Sequence, residues 1–353
     1  MTQSLRYMPQ LDSLRAIAVA CVMYSHFVPN KWHFGISFGP MGVQLFFVLS
    51  GYLITSILLK YRVSRTTGNA FRTFYIRRFL RIFPLYYVTL TISLMAGLCS
   101  LKEGMWHAGY LSNVLFFLEN SWPGTLSHFW SLSVEEQFYL FWPAVILLSS
   151  KRSLSYVVWC VAIIGTMAQF LGPWLYPESK LWTVLPFMNL DSLGAGALLA
   201  MYGLGNSRVQ KFMEQRWIII SCFVAMGIVA MLNHRGFETA SVVRWLNRLA
   251  LVVGSLWIVG NASKGFNGNS MAGMFLNFPT LTFLGQISYG IYVWHNFVPT
   301  LFHSLADQLQ LHDSIRFGIP GLLLCTILTF TIASASWRIL EARILQYKSK
   351  LAP

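Results

Sequence analysis

The sequence predicts an all-α polytopic membrane protein. The expected architecture is about ten transmembrane helices in a single domain over residues 1–353, with a short re-entrant or interfacial helix near 109–118 and both termini inside (N-in/C-in). Three observations predict it. Hydrophobic residues make up 55% of the chain and charged residues only 11%, whereas soluble domains carry about 25% charge. Apolar stretches of about 20 residues, the length that crosses a bilayer core, recur along the whole chain. Lys and Arg are divided unevenly between the loops that alternate spans would expose.

In chain order the spans fall at 11–29, 41–60, 78–99, 133–150, 155–174, 184–203, 217–233, 241–261, 279–303 and 316–340. The stretch 109–118 is apolar but too short to cross. With ten crossings and the N-terminus inside, the inner side collects Arg6, the basic cluster from Lys60 to Arg81, Lys151, Arg152, Arg208, Lys211, Arg216, Lys264, Arg338, Arg343, Lys348 and Lys350. The outer side keeps Lys31, Lys102, Lys180, Arg235, Arg244, Arg248 and Arg316. This asymmetry, with attraction to anionic lipid, accounts for most of the net charge of +14. No recognisable nucleic-acid module accompanies it, so nucleic acid is not an expected partner, and membrane lipid is. The first segment is followed by no small-residue cleavage pattern and reads as retained. Cys21, Cys99, Cys160, Cys222 and Cys325 are odd in number and without C-x-x-C spacing. They read as small packing residues, not as a disulfide framework or a metal site.

The first span carries Asp12, Arg15 and His26. At about 100° and 1.5 Å per residue, Arg15 and His26 lie within roughly 20° of one helix face and roughly 16 Å apart along it. Ionisable groups inside a bilayer are costly and usually line a polar cavity, so one helix is expected to present a cation and a titratable base at two depths. In the run 74–84 (FYIRRFLRIFP), Arg78 and Arg81 share a face, with Arg77 beside it. Headgroup anchoring explains such a pair; so does an anion site, because guanidinium forks suit phosphate oxygens. In the run 129–143 (FWSLSVEEQFYLFWP), Ser131, Glu135 and Tyr139 recur every four residues and can form one polar stripe. Capping of a helix start would explain one serine and one glutamate without a site, though not Tyr139.

The assumed topology places His26, Glu135, Asp191 and His295 at similar, outer depth. Singly, His295 is equally well a packing histidine and Asp191 an interhelical hydrogen-bond partner. A ligand with phosphates at the inner arginines and a reactive end near His26 must be long and narrow. Coenzyme A has that form. A neutral imidazole could take the proton of a hydroxyl attacking its thioester, with Glu135 orienting the ring.

The runs LDSLRAIAVACVMYSH, GVQLFFVLSGYLIT, FYIRRFLRIFP, FWSLSVEEQFYLFWP and GQISYGIYVWH, in this order, resemble the acyltransferase-3 family of bacterial membrane O-acyltransferases across almost the whole chain. The resemblance implies about ten helices and O-acylation, commonly O-acetylation, of carbohydrates or related molecules from acetyl-CoA (acyl-CoA) as co-substrate, without a metal. It implies location in the bacterial cytoplasmic (inner) membrane and a stand-alone unit without the C-terminal esterase-like domain of some members. By position it matches Arg15 and His26 to the arginine-ten-residue-histidine motif, with His26 the essential base. Arg78 and Arg81 match R-x-x-R, implicated in donor handling, and Ser131, Glu135, Tyr139 and Pro143 match S-x3-E-x3-Y-x3-P. The segment before Asp191 departs from relatives, reading PFMNLD where a basic residue is common.

The function expected from the sequence is therefore acyl transfer, acetyl first, to a hydroxyl of a carbohydrate or lipid-linked glycan. His26 and Glu135 are the expected catalytic residues, Arg15, Arg78 and Arg81 bind the donor, and Asp12, Ser131, Tyr139, Asp191 and His295 support the site. The rival class is a secondary transporter using the same intramembrane charges, against which no inverted repeat is found. A non-catalytic glycan-binding component on the same scaffold is the third reading.

Overall fold

The computed structural model describes residues 7–203, 206–235, 241–310, 312–313 and 318–351. Arg6 and Arg316, used in the charge reading above, lie outside these residues. Among the described residues the chain is helical and contains no strand. The helices are α1 (Pro9–Phe27), α2 (Phe38–Ser64), α3 (Thr67–Met95), α4 (Leu101–Ala108), α5 (Ser112–Glu119), α6 (Phe129–Leu148) and α7 (Lys151–Leu175). They continue as α8 (Leu190–Tyr202), α9 (Ser207–Glu214), α10 (Arg216–His234), α11 (Ser241–Lys264), α12 (Met271–Leu276), α13 (Pro279–Gln286), α14 (Ser288–Trp294) and α15 (Phe297–Gln308). Last come α16 (Ile319–Ser336), a π-helical turn (Trp337–Glu341), α17 (Ala342–Leu345) and α18 (Lys348–Leu351).

Among the described residues, five helical stretches are long and apolar enough to cross a membrane: α2, α7, α10, α11 and the continuous run Ile319–Leu345. Helices α1, α3 and α6 are also of crossing length, at 19, 29 and 20 residues, and carry the ionisable motif residues. Helix α2 is central: 67% of its most apolar stretch is buried, against 22% for α10 and for Ile319–Leu345. It packs most extensively on α8 and α1, then on α6 and α11. Glycine makes the α2–α8 approach possible. A Cβ on Gly51 would lie 2.0 Å from the Leu193 carbonyl oxygen, and one on Gly196 would lie 2.1 Å from that of Val48. In an apolar solvent, where hydrophobic burial gives helices no reason to associate, backbone proximity of this kind supplies much of the packing energy.

Several helix ends are closed by side chains of other helices. Arg62, at the end of α2, donates to the carbonyls of Ile146 (2.8 Å) and Ser149 (2.5 Å) at the end of α6. Tyr86 and Tyr87 of α3 donate to the carbonyls of His107 and Ala108 at the end of α4. Carbonyls at a helix end lack the following turn's N–H donors, and side-chain donors serve them where water is scarce; that of His107 also accepts the Tyr110 N–H at 2.9 Å.

Three expected spans differ from the structure. The stretch 279–303 is not one helix but α13, α14 and α15. Pro299 has no N–H to give the His295 carbonyl, and the chain turns there. The stretch 184–203 reduces to the 13 residues of α8 after two 3₁₀ turns, because Pro186 holds Leu185 extended (ψ 144°). At about 1.5 Å per residue, α8 is too short to cross alone. Helix α3 begins at Thr67, well before the expected position 78. The short helix expected near 109–118 is α5, and α4 precedes it through a Ser100–Glu103 capping box that the sequence reading did not use. All five cysteines are free.

Substituting Gly51 or Gly196 by Ala should lower the thermal unfolding temperature in detergent by an amount equivalent to about 1–3 kcal/mol, the cost of overpacking. Gly227→Ala in α10, where nothing lies within 4 Å of the added Cβ, should leave it unchanged or raise it by the equivalent of about 1 kcal/mol. Equal melting of all three variants would remove the close helix approach from the account of the fold.

Candidate active site

A cavity of about 90 Å³, inner in the sense that it lies toward the start of α1 and away from His26, opens between α1, α2, α3, α6 and α14. Helical periodicity selects its walls. Val43, Phe46, Phe47 and Ser50 form one face of α2, and Ser131, Leu132, Glu135, Glu136 and Tyr139 one face of α6. Arg15 enters from α1, Arg78 and Arg81 from α3, and Ser288, Tyr289 and Tyr292 from α14. Three guanidinium groups thus share a space with two carboxyls.

Four of the five charged groups are fixed by a neighbour. Arg15 donates to the Asp12 carboxylate at 3.2 Å. The Arg78 guanidinium lies 4.4 Å from the centre of the Tyr139 ring, a cation–π contact. Arg81 donates to the Gln286 carbonyl at 2.9 Å and sits 5.1 Å from the Trp337 ring centre. Glu135 accepts from Ser50 Oγ at 2.8 Å, and its other oxygen is 3.1 Å from the Tyr139 hydroxyl, which is also 2.8 Å from Ser50 Oγ. Each arginine has five N–H donors and is held through a few or none of them, so this geometry suits an anion brought into the cavity.

A second, outer cavity of about 420 Å³ is lined by His26, Lys31, Trp32, Pro299, His303 and Cys325, among others. That volume is in the range of small-molecule sites. His26 is exposed to it. The His26 ring meets that of His295 edge to face at 5.0 Å between centres, and His295 meets His128 in the same way at 4.8 Å. His295 is fully buried, with Nδ1 2.6 Å from the Tyr292 carbonyl oxygen. The Tyr292 hydroxyl lies 2.5 Å from Ser131 Oγ on the inner cavity wall. One residue therefore has its hydroxyl in the inner cavity and its carbonyl on the histidine that backs the outer one.

The structure brings together Arg15, Arg78, Arg81, Ser131, Glu135 and Tyr139, as the motif spacings suggest, and places Asp12 behind Arg15. His26 lines the second cavity, and the buried His295 ring packs against it from behind. Glu135 does not join them. Its carboxyl is taken by Ser50 and Tyr139 at the level of the arginines, so the expected Glu135–His26 pair is not formed and the ring beside His26 is His295. Asp191 lies apart from both cavities. Its two oxygens receive Arg248 at 2.7 and 2.8 Å, and Arg248 also donates to Asn189. Sequence reasoning missed Ser50, Tyr292 and His128. Ser50 and Tyr292 are hydroxyls among other hydroxyls in their runs, legible only as the fourth member of the α2 stripe and as the residue four after Ser288. His128 carries no spacing signal at all.

Comparison with known proteins shows the family. The family model described as "Acyltransferase domain" matches residues 8–338. The chain belongs to this acyltransferase family. It is 29% identical over 372 residues to the "Putative O-acetyltransferase SAS0844" of Staphylococcus aureus, covering 96% of this chain and 57% of the relative. It is 27% identical over 368 residues to the "Peptidoglycan O-acetyltransferase OatA" of Listeria monocytogenes, covering 97% of this chain and 56% of the relative. The chain thus spans about half the length of the curated relatives it matches. No solved structure matches it.

The Asp191–Arg248 pair is a structural element in this geometry. Asp191→Ala leaves the part-buried Arg248 guanidinium without its carboxylate, though still bonded to Asn189, and should destabilise the fold by about 1–3 kcal/mol, read by thermal unfolding in detergent. Donor affinity in the folded fraction should be unchanged; a specific loss of donor binding at normal stability would place Asp191 in the site instead.

Proposed function

We propose that the chain is a membrane O-acyltransferase that moves an acyl group, acetyl first, from acyl-CoA to a hydroxyl of a surface or exported glycan. One observation carries the reading: helix α1 delivers Arg15 to the inner cavity and His26 to the outer one. Ten crossings with the N-terminus inside would face the arginines to the cytoplasm, where acyl-CoA is made, and His26 away from it. The inner cavity has room for a few waters or a narrow arm, not for a nucleotide. The nucleotide phosphates would therefore sit at the inner mouth on Arg15, Arg78 and Arg81, with the pantetheine arm reaching between the walls. The larger outer cavity would hold the acceptor sugar. Relatives named for O-acetylation, one of them of peptidoglycan, support this substrate class.

The chemistry follows from the two groups. His26, as neutral imidazole, takes the proton of the acceptor hydroxyl while its oxygen attacks the thioester carbonyl. The C–O bond forms and the C–S bond breaks. The thiolate leaving group then recovers the proton from the imidazolium as free CoA, and the base is regenerated. Glu135 is better suited to holding Ser50 and Tyr139, and through its charge the arginines, than to acting on His26.

His26→Ala should abolish product formation with folding and expression preserved, measured as acyl-CoA consumption with matched acylated glycan by purified protein in detergent. Full turnover in a well-folded variant would refute the base assignment, and solute movement without thioester loss would restore the transporter reading. Arg78→Ala or Arg81→Ala should weaken CoA binding by an amount equivalent to about 1.5–3 kcal/mol, the scale of a hydrogen bond to a charged group, in direct titration. Unchanged affinity would return these arginines to lipid anchoring.

A further inference from the structure

His295 has no exposed surface, yet its Nε2 has no hydrogen-bond partner. An unsatisfied buried polar atom costs about 1–3 kcal/mol, and few native structures retain one without a reason. The chemistry of the other nitrogen fixes what Nε2 can do. Nδ1 lies against the Tyr292 carbonyl, which only accepts, so Nδ1 carries the proton and Nε2 a lone pair. His128, the ring on the far side, is already engaged: its Nε2 is 3.1 Å from the Val293 carbonyl and its Nδ1 faces the Asn296 amide at 3.3 Å. On the near side is His26, whose ring nitrogens make no hydrogen bond among the described residues and whose ring centre is 5.0 Å away. His26 is exposed on its other side, so its ring is free to turn toward His295.

We propose that His295 is the positioning residue of His26. Its Nε2 accepts the N–H of the nearer His26 nitrogen, which places the proton there and leaves the farther nitrogen as a lone pair turned to the outer cavity. This rests on the acyl-transfer reading above and supplies the orienting partner that Glu135 does not. During transfer the acceptor proton enters on the farther nitrogen, both His26 nitrogens then bear N–H, and His295 holds one while the other is returned to the thiolate. The logic is that of a catalytic triad with a neutral acceptor in the carboxylate's place. A neutral acceptor needs no counter-charge in the resting bilayer interior, where a carboxylate would.

The junction of α14 and α15 holds the pair in place. His295 caps α14 and the chain re-enters helix at Phe297, with Pro299 in the first turn of α15 offering no N–H to the His295 carbonyl, so the ring is carried by a turn instead of a continuous helix wall.

The test uses the full chain in detergent with ¹⁵N-labelled histidine, observing two-bond N–H correlations that separate the two imidazole tautomers. The His26 signals are assigned by their loss in His26→Ala. One His26 tautomer is expected in the wild type and a mixture in His295→Phe. In acyl-CoA turnover, His295→Phe should lower kcat by about 10²-fold, the low end of a general-base contribution, with the KM for donor unchanged. His295→Gln, whose amide oxygen can accept, should restore most of the rate. A single His26 tautomer persisting in His295→Phe, or a Gln variant no faster than the Phe variant, would overturn the proposal. If neither variant folds, the wild-type spectrum decides: a His295 Nε2 with the shift of a non-bonded nitrogen removes the pair. The tautomer readout needs no turnover, so the wrong choice of acceptor, or of reaction, would be visible separately from failure of the His26–His295 contact.

Discussion

A guanidinium withdrawn from water into a helical bundle needs an acceptor or a π-face for each of its edges, and much of this structure is arranged to provide them. Arg62 finds the carbonyls at the end of α6, Arg81 the last carbonyl of α13, Arg78 the face of Tyr139, and Arg248 both oxygens of Asp191. Helix ends are natural acceptors, because their carbonyls lack partners and carry the negative end of the helix dipole. The arginines are therefore joints between helices as much as they are a ligand site. Where three of them converge on one space the helices cannot close over it, and the inner cavity is what remains.

Helix α2 makes that convergence possible. Its two glycine contacts with α8 bring one side to backbone distance, which leaves the other side, from Val43 to Ser50, free to face α6 and α1. Ser50 then reaches Glu135, and Tyr139 is held between Glu135 and Arg78. With the carboxyl held by two hydroxyls and the arginines by their own neighbours, the cavity walls are preorganised and little has to move when an anion enters. The same fixing explains why Glu135 is out of reach of His26: its hydrogen-bonding capacity is spent at the inner level.

Sequence reading captured what periodicity and polarity encode. The Arg15–His26 spacing, the Arg78–Arg81 pair and the Ser131–Glu135–Tyr139 stripe each depend on one helix, and each lies where helical geometry puts it. What failed depends on two chains of contact at once. The depth of Glu135 was inferred from the order of spans, but a side chain's level is set by what it bonds, here Ser50 on another helix. Asp191 reads equally as a site carboxylate and as an interhelical partner, and the sequence does not choose between them because Arg248 is more than fifty residues away. The break of 279–303 was obscured because a proline four residues after a histidine reads as a tolerable kink in an apolar run, and hydropathy does not register a missing backbone donor.

That break also connects the two cavities. A continuous helix through 279–303 would present its side chains in one regular spiral and keep its carbonyls for its own ladder. Interrupted after Gln286 and again after Trp294, it instead offers the Gln286 carbonyl to Arg81, sends the Tyr292 hydroxyl to Ser131, and gives the Tyr292 carbonyl to His295. Irregular backbone at membrane depth is tolerated where protein encloses it or a cavity adjoins it, and both conditions hold here. Displacement of Arg81 by a bound anion would therefore act on the end of α13, and displacement of Ser131 on the carbonyl that fixes His295, so occupancy of the inner cavity and the set of the outer histidines share one short stretch of backbone.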